Sequence, residues 1–203
     1  MKSTSIIPKT ALESCRVGLA LTGSFCTIPK VIELLDDLVK QVGDITPIFS
    51  ENVANMDTKF GKAADTLRIM EEKTGNKAMK SINEAERTGP GKLFDIVLIA
   101  PCTGNTLSKL ACGITDTSVT MASKAQLRNG RPLAIAISTN DGLGLSHKNL
   151  GILMNSKNVY FVPYSQDSPD TKPNSLVANL DLIIPTLDAA LCGYQKQPIL
   201  YKA

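Results

Sequence analysis

Four short stretches of the chain gather small residues, hydroxyls and amides with almost no charge. They are Thr22-Gly23-Ser24, Ser50-Glu51-Asn52, Pro101-Cys102-Thr103-Gly104-Asn105-Thr106 and Ser138-Thr139-Asn140. Such residues suit a phosphate monoester. Backbone N–H groups at a helix start point outward, the helix dipole favours an anion, and Ser and Thr hydroxyls add donors. Gly23 and Gly104 carry no Cβ, so a ligand can approach the backbone there. Each stretch alone is equally a cap or a turn. All four together, each at the end of an apolar run, describe a ligand site.

The ligand pattern is narrower than "nucleotide". After the first apolar run the text is Thr22-Gly23-Ser24-Phe25-Cys26-Thr27, not GxGxxG. Glu51 stands where an acid can hold a ribose diol, but without the glycines a solvated Glu is the simpler reading. No GxxxxGK[ST] occurs, so an ATP-type phosphate loop is excluded. A mononucleotide such as FMN fits better. Cys102 and Asn105 are the candidates for chemistry at the central stretch. Cys102 reads equally as a small buried residue, and Lys109, Lys124 and Arg128 as a solvated helix face. His147, the only His, lies after a Gly-rich loop and suits a surface or capping role.

The elements that must carry these stretches alternate. Arg16 to Thr22 and Phe94 to Ala100 are apolar runs that read as buried strands. Asp44 to Ser50 is a third, placed near an edge by Pro47. Leu133 to Ser138 and Val159 to Val162 complete the set. Between them, Ile28, Val31, Ile32, Leu35, Leu38 and Val39 recur at helical spacing, with Thr27 as cap and Pro29 in the first turn. Further helices are expected at Lys59 to Lys73, Thr106 to Cys112, Ser118 to Arg128 and Asn149 to Asn155. Asn76 to Lys92 reads as loop with a short element at Met79 to Ile82. Ser165 to Asn174 reads as a polar loop, and Ser175 to Leu191 as helix split by Pro185. Strand and helix in alternation predict a doubly wound, Rossmann-like (flavodoxin-like) parallel sheet, with helices on both faces in three αβα layers. One domain over residues 1–203 is expected.

Composition removes other classes. The net charge is +3, with five Phe, four Tyr and no Trp. A nucleic-acid groove wants a basic stripe or stacking aromatics. Five cysteines without a CxxC and a single His do not make a zinc site, so no metal is expected. The start MKSTSIIPKT has no apolar signal core and no run is long enough for a bilayer, so no membrane association and a reducing, cytoplasmic setting are expected.

At Pro101-Cys102-Thr103-Gly104-Asn105-Thr106 the sequence resembles the flavoprotein superfamily of homo-oligomeric, flavin-containing cysteine decarboxylases, which carry Pro-Ala-Ser-Ala-Asn-Thr there. Flavin prenyltransferases carry a related Pro-Cys-Ser stretch. One branch, the B subunits of dipicolinate synthases, resembles the chain along nearly its whole length. The matching blocks are Ala20-Leu21-Thr22-Gly23-Ser24, Thr46-Pro47-Ile48, Thr58-Lys59-Phe60-Gly61, Ala100 to Asn105, Met121-Ala122-Ser123-Lys124-Ala125, Arg128-Asn129-Gly130-Arg131-Pro132, Ile137-Ser138-Thr139-Asn140-Asp141 and Lys172-Pro173-Asn174-Ser175. The last two separate this branch from the decarboxylases. A His commonly follows Gly-Ser in the branch; here Phe25 stands there. The decarboxylases' early catalytic His has no counterpart.

The resemblance implies FMN as cofactor, held by Gly23, Ser24, Phe25, Ser50, Thr103, Gly104, Asn105, Thr106, Ser138, Thr139 and Asn140. It also implies oxidation of a dihydro-pyridine dicarboxylate to dipicolinate. The partner would be the dehydrogenase-like A subunit of the synthase, which would bring NADP or NAD. A homo-oligomer is expected by analogy, a trimer or dodecamer, in the mother cell of a spore-forming bacterium. Two other readings stay open at this point: a stand-alone FMN-dependent enzyme of the flavin prenyltransferase or decarboxylase type, and a scaffold subunit with no flavin.

Overall fold

The computed structural model describes residues 11–201. The opening MKSTSIIPKT lies outside them. Five strands are parallel: β1 (Arg16–Leu21), β2 (Asp44–Phe49), β3 (Ile96–Cys102), β4 (Leu133–Thr139) and β5 (Val159–Phe161). Their order across the sheet is β2-β1-β3-β4-β5. β3 is central and buried at every residue, as its unbroken apolar run requires. β2 lies at the edge, where Pro47 needs no sheet partner on its open side. That side is closed instead by Met79, whose N–H donates to the Pro47 carbonyl and whose carbonyl accepts from Phe49.

Helices cover both faces. α1 (Ile28–Gln41) buries Ile28, Val31, Leu35 and Leu38, four of the residues its spacing marks as apolar. It shares a layer with α9 (Ile183–Leu191), which it meets through the turn Leu180–Leu182. α7 (Ser118–Arg128) crosses the other face and packs against β2, β3 and β4. Between β2 and β3 run α2 (Glu51–Asn55), α3 (Ala63–Thr74), α4 (Ile82–Glu86) and α5 (Thr88–Gly91). The last two fall where the sequence reads as loop; α4 forms because Ser81 and Glu84 make a reciprocal capping box. α6 (Gly104–Ala111) and α8 (His147–Met154) follow β3 and β4.

The C-terminal third departs from expectation. β6 (Tyr164–Ser168) and β7 (Lys172–Ala178) form an antiparallel ribbon where a polar loop and the start of a helix are expected. β7 also pairs antiparallel with the tip of β4, Ser138 opposite Val177 and Thr139 opposite Leu176. The sheet is therefore parallel with an antiparallel ribbon at its ligand-facing end. Pro185 does not split α9. It sits in the first turn, where a missing N–H breaks no helical bond. No helix among the described residues is long and apolar enough to cross a membrane.

One charge cluster locks the opposite ends of the strands. Asp95 accepts from the Arg16 backbone N–H (3.0 Å) and from its Nε and Nη2 (3.1 and 2.9 Å), and Arg131 Nη1 adds a fourth contact at 3.2 Å. The hydrogen bonds from Arg16 hold the Asp95 carboxyl below its usual range, against the opposing effect of partial burial. A depressed carboxylate stabilises the fold above its unfolded pKa, and the contribution is lost as pH falls through the folded value. Asp95→Asn is therefore expected to lower Tm by roughly 2–4 °C at neutral pH. The deficit against wild type should shrink below about pH 4. Thermal melts across pH check both; a deficit constant down to acid pH contradicts the assignment.

Candidate functional site

In an open α/β sheet of this order ligands bind beyond the carboxyl ends of the strands, where the winding reverses between β1 and β3. A cleft of about 1030 Å³ lies there. The first loop (Gly23 to Thr27), the start of α6 (Thr103 to Asn105), the end of β4 (Ser138 to Asn140), the start of α8 and the β6–β7 ribbon line it. Three of the four stretches singled out in the sequence thus meet in one place.

Two bonds set the distance between the first two. Thr22 Oγ1 donates to the Pro101 carbonyl at 2.7 Å and accepts from the Thr103 N–H at 2.9 Å. Thr22 is buried, so this stitch between β1 and β3 is shielded from water. The next contact reaches β4. Ser138 Oγ lies 2.8 Å from Ser24 Oγ and 2.9 Å from Thr27 Oγ1, and those two hydroxyls are 3.2 Å apart. Thr27 is expected to cap α1. Its backbone is helical instead, and no side-chain cap bond is made. The hydroxyl turns to Ser138, so α1 starts with uncapped N–H groups beside three hydroxyls.

The remaining candidates divide. Gly104, Asn105, Thr139 and Asn140 line the cleft, Asn105 and Asn140 exposed to it. Phe25 lines it too, with Phe60. Thr106 does not: it is buried and its N–H donates to Thr103 Oγ1 at 3.2 Å, which is the N-cap of α6. Ser50 does not line it either. Its N–H donates to the Leu21 carbonyl, beside the end of β1, and its hydroxyl is buried without a hydrogen-bond partner. Glu51 accepts from the Ser118 N–H at 3.2 Å, at the first residue of α7.

Cys102 is wholly buried at the end of β3. Burial pushes its thiol well above the ordinary range, which keeps it protonated and removes the thiolate that nucleophilic chemistry needs. His147 points Nδ1 at the Gly142 carbonyl, 3.3 Å away, and does not line the cleft. Lys109 is paired with Asp116 at 2.8 Å. The cations that line the cleft are Lys30, Lys148 and Lys172, none of them marked by the strand-end pattern. Lys172 stands in the Lys-Pro-Asn-Ser block, the one sequence signal for it. Lys30 and Lys148 have no ion-pair partner among the described residues.

Packing fixes the floor of the cleft. Ser108 Oγ donates to the Gly104 carbonyl and accepts from Asn149 Nδ2, both at 2.8 Å, which ties α8 to α6. Asp141 accepts from the N–H groups of Leu145 and Ser146, which closes the turn between β4 and α8. A Cβ on Gly104 would lie 2.7 Å from both Ser146 Oγ and Thr139 Oγ1. Any larger residue at 104 must turn those two hydroxyls aside.

Comparison with known proteins agrees with this fold. A family model described as Flavoprotein matches residues 5–175. The B subunit of dipicolinate synthase from Bacillus subtilis (strain 168) is 45% identical over 191 residues, 94% of this chain and 96% of the relative. The crystal structure of the dipicolinate synthase B subunit from Bacillus halodurans C superimposes with a TM-score of 0.85 at 43% identity, covering 93% of this chain and 96% of that one. A dodecameric FMN-dependent Ubix-like decarboxylase from Escherichia coli O157:H7 shares the fold, with a TM-score of 0.59 at 19% identity over 87% of this chain and 92% of that one. On the extent of the family match and of the identity to the Bacillus relative, the chain belongs to the flavoprotein family.

Proposed function

We propose that the chain is an FMN-binding B subunit of a dipicolinate synthase, which acts with a dehydrogenase-type A subunit to oxidise a dihydro-pyridine dicarboxylate to dipicolinate during sporulation. The observation that carries the cofactor is the uncapped start of α1 beside the hydroxyls of Ser24, Thr27 and Ser138. Those groups fit a phosphate monoester. At about 1030 Å³ the cleft takes a flavin and a small ring ligand together.

In this reading Gly23 and Ser24 hold the phosphate, with Thr27 and Ser138. Asn105 and Asn140 orient ring edges by hydrogen bonding, and Phe25 and Phe60 offer apolar surface that excludes water. FMN, when bound, supplies a two-electron acceptor beside the substrate, with a nicotinamide on the A subunit serving as the final acceptor. The chain itself binds two carboxylates and fixes the ring. Its thiol at the strand end, Cys102, stays protonated and spectates.

Two measurements test this. Protein incubated with FMN and desalted is expected to keep the flavin absorption bands; a colourless protein that leaves FMN fluorescence unchanged overturns the cofactor. Adding the chain to its A subunit should raise the rate of dipicolinate formation several-fold over the rate the dehydrogenase reaches without it. An unchanged rate overturns the synthase assignment, and turnover by the chain alone points to a stand-alone flavoenzyme.

A further inference from the structure

The two blocks that set this chain's branch apart, Ile137 to Asp141 and Lys172 to Ser175, are distant in sequence and adjacent in space. Thr139 pairs with Leu176 across β4 and β7. Ser175 Oγ, buried, donates to the Thr139 carbonyl at 3.2 Å, and the Leu143 N–H donates to the Asn174 carbonyl at 3.0 Å. This lacing fixes the ribbon over the cleft, and the ribbon presents one ion pair there. Lys172 Nζ lies 2.8 Å from Asp167 Oδ2. The β6–β7 register shifts between Gln166 and Ser168, which places Asp167 at the irregularity. Such a bulge re-aims a side chain, and bulges recur beside active sites. Asp167 Oδ2 also lies 3.4 Å from Ser175 Oγ, an alternative acceptor for the one proton that hydroxyl can donate.

The charges around the cleft do not balance without a ligand. Its two acids are both engaged, Asp141 by the turn before α8 and Asp167 by Lys172. Lys30 and Lys148 face the same space without ion-pair partners among the described residues. Three lysines against two carboxylates leave the lining with one net positive charge, which favours an anionic ligand. A pair in which the lysine side chain is 58% exposed is held weakly, so exchanging Asp167 for a ligand carboxylate costs little. Asp167, accepting the hydrogen bond, raises the Lys172 pKa above its ordinary value.

We infer that Lys172, presented by the β6–β7 ribbon and parked on Asp167, is the residue that selects a dicarboxylate over a monocarboxylate in this cleft. The inference rests on the proposed function, which puts a pyridine dicarboxylate there. One ring carboxylate takes the Lys172 ammonium; the other is left to the amides of Asn105 and Asn140.

Calorimetric titration of the FMN-loaded full chain with pyridine-2,6-dicarboxylate and with pyridine-2-carboxylate tests it. Lys172→Met should weaken the dicarboxylate about tenfold or more, with the monocarboxylate little changed, since one charge-assisted hydrogen bond is lost. Lys172→Arg should restore most of the preference. Asp167→Asn is expected to tighten the dicarboxylate severalfold, because it frees the lysine and removes a repelling carboxylate. A purely structural ion pair predicts the opposite for Asp167→Asn, weaker binding like that of Lys172→Met. If wild type binds the dicarboxylate and Lys172→Met binds it equally, the inference alone fails. If wild type binds FMN but neither acid, the substrate reading fails and takes the inference with it.

Discussion

Replacing Ser138 by alanine is expected to weaken FMN binding roughly 10- to 100-fold while moving Tm by no more than a few degrees. The reason is its position. Among the described residues Ser138 Oγ is the one hydroxyl within 3.0 Å of both Ser24 and Thr27. Without a ligand the three hydroxyls satisfy one another. With a phosphate present each can turn its proton outward, and a hydrogen bond to a charged group is worth more than one between neutral hydroxyls. Ser138→Ala removes one such donor and leaves the other two without the group that aligns them. The fold loses little, because Ser138 is only partly buried and its backbone pairing with Val177 is unaffected. Fluorescence titration with FMN gives the affinity and calorimetry gives Tm. An affinity within twofold of wild type would place the phosphate elsewhere and leave the triad as a strut between β1 and β4.

That site is legible in part because its parts sit on strands the sequence announces. The run Ile96 to Ala100 has no polar residue, and a parallel strand buried on both faces has no other way to read. Whatever follows it must emerge at the ligand end of the sheet, which is how Thr103, Gly104 and Asn105 are found. The same logic over-reaches at Thr106 and Ser50. Both stand near strand ends, yet Thr106 lies one turn into α6 and serves Thr103, while Ser50 faces inward beside β1. Which way a hydroxyl turns depends on local backbone angles, and neighbours in sequence do not reveal them.

The ribbon is illegible for a different reason. Ser-Gln-Asp-Ser-Pro-Asp-Thr-Lys-Pro-Asn shows no alternation of apolar and polar residues, because most of its side chains meet water or the cleft rather than the core. Its strands are held by backbone bonds to each other and by a two-residue pairing with β4. Propensity sees a loop there; tertiary pairing makes it a strand. One of the cleft's cations is hidden with it. Lys109, Lys124 and Arg128 stand near the recognised motifs in sequence, whereas Lys172 reaches the cleft only because β7 folds back.

The contact that holds the ribbon down gives the second large effect. Gly142→Val is expected to cost about 3 kcal/mol of stability, roughly 6–12 °C in Tm, and to weaken dicarboxylate binding as strongly as Lys172→Met. A Cβ on Gly142 would lie 2.6 Å from Leu176 Cγ and 2.7 Å from its Cβ and Cδ1. Leu176 is buried, and its Cβ is held in place by the backbone pairing with Thr139 on one side and Gln166 on the other. The strain must therefore lift β7 from the β4–α8 turn, and Lys172 with it. Leu176→Gly in the same chain removes all three of those atoms and makes room for the new side chain. The double variant should then be more stable than the two single losses sum to, by about 1 kcal/mol or more, and should regain part of the dicarboxylate affinity. Additive losses would mean that the ribbon does not depend on this contact, and that the turn absorbs the valine by itself. FMN binding separates the two ends of the cleft: the atoms nearest an added Cβ on Gly142 all belong to Leu176, not to Ser138, Ser24 or Thr27, so the flavin should remain bound in a variant that has lost its dicarboxylate.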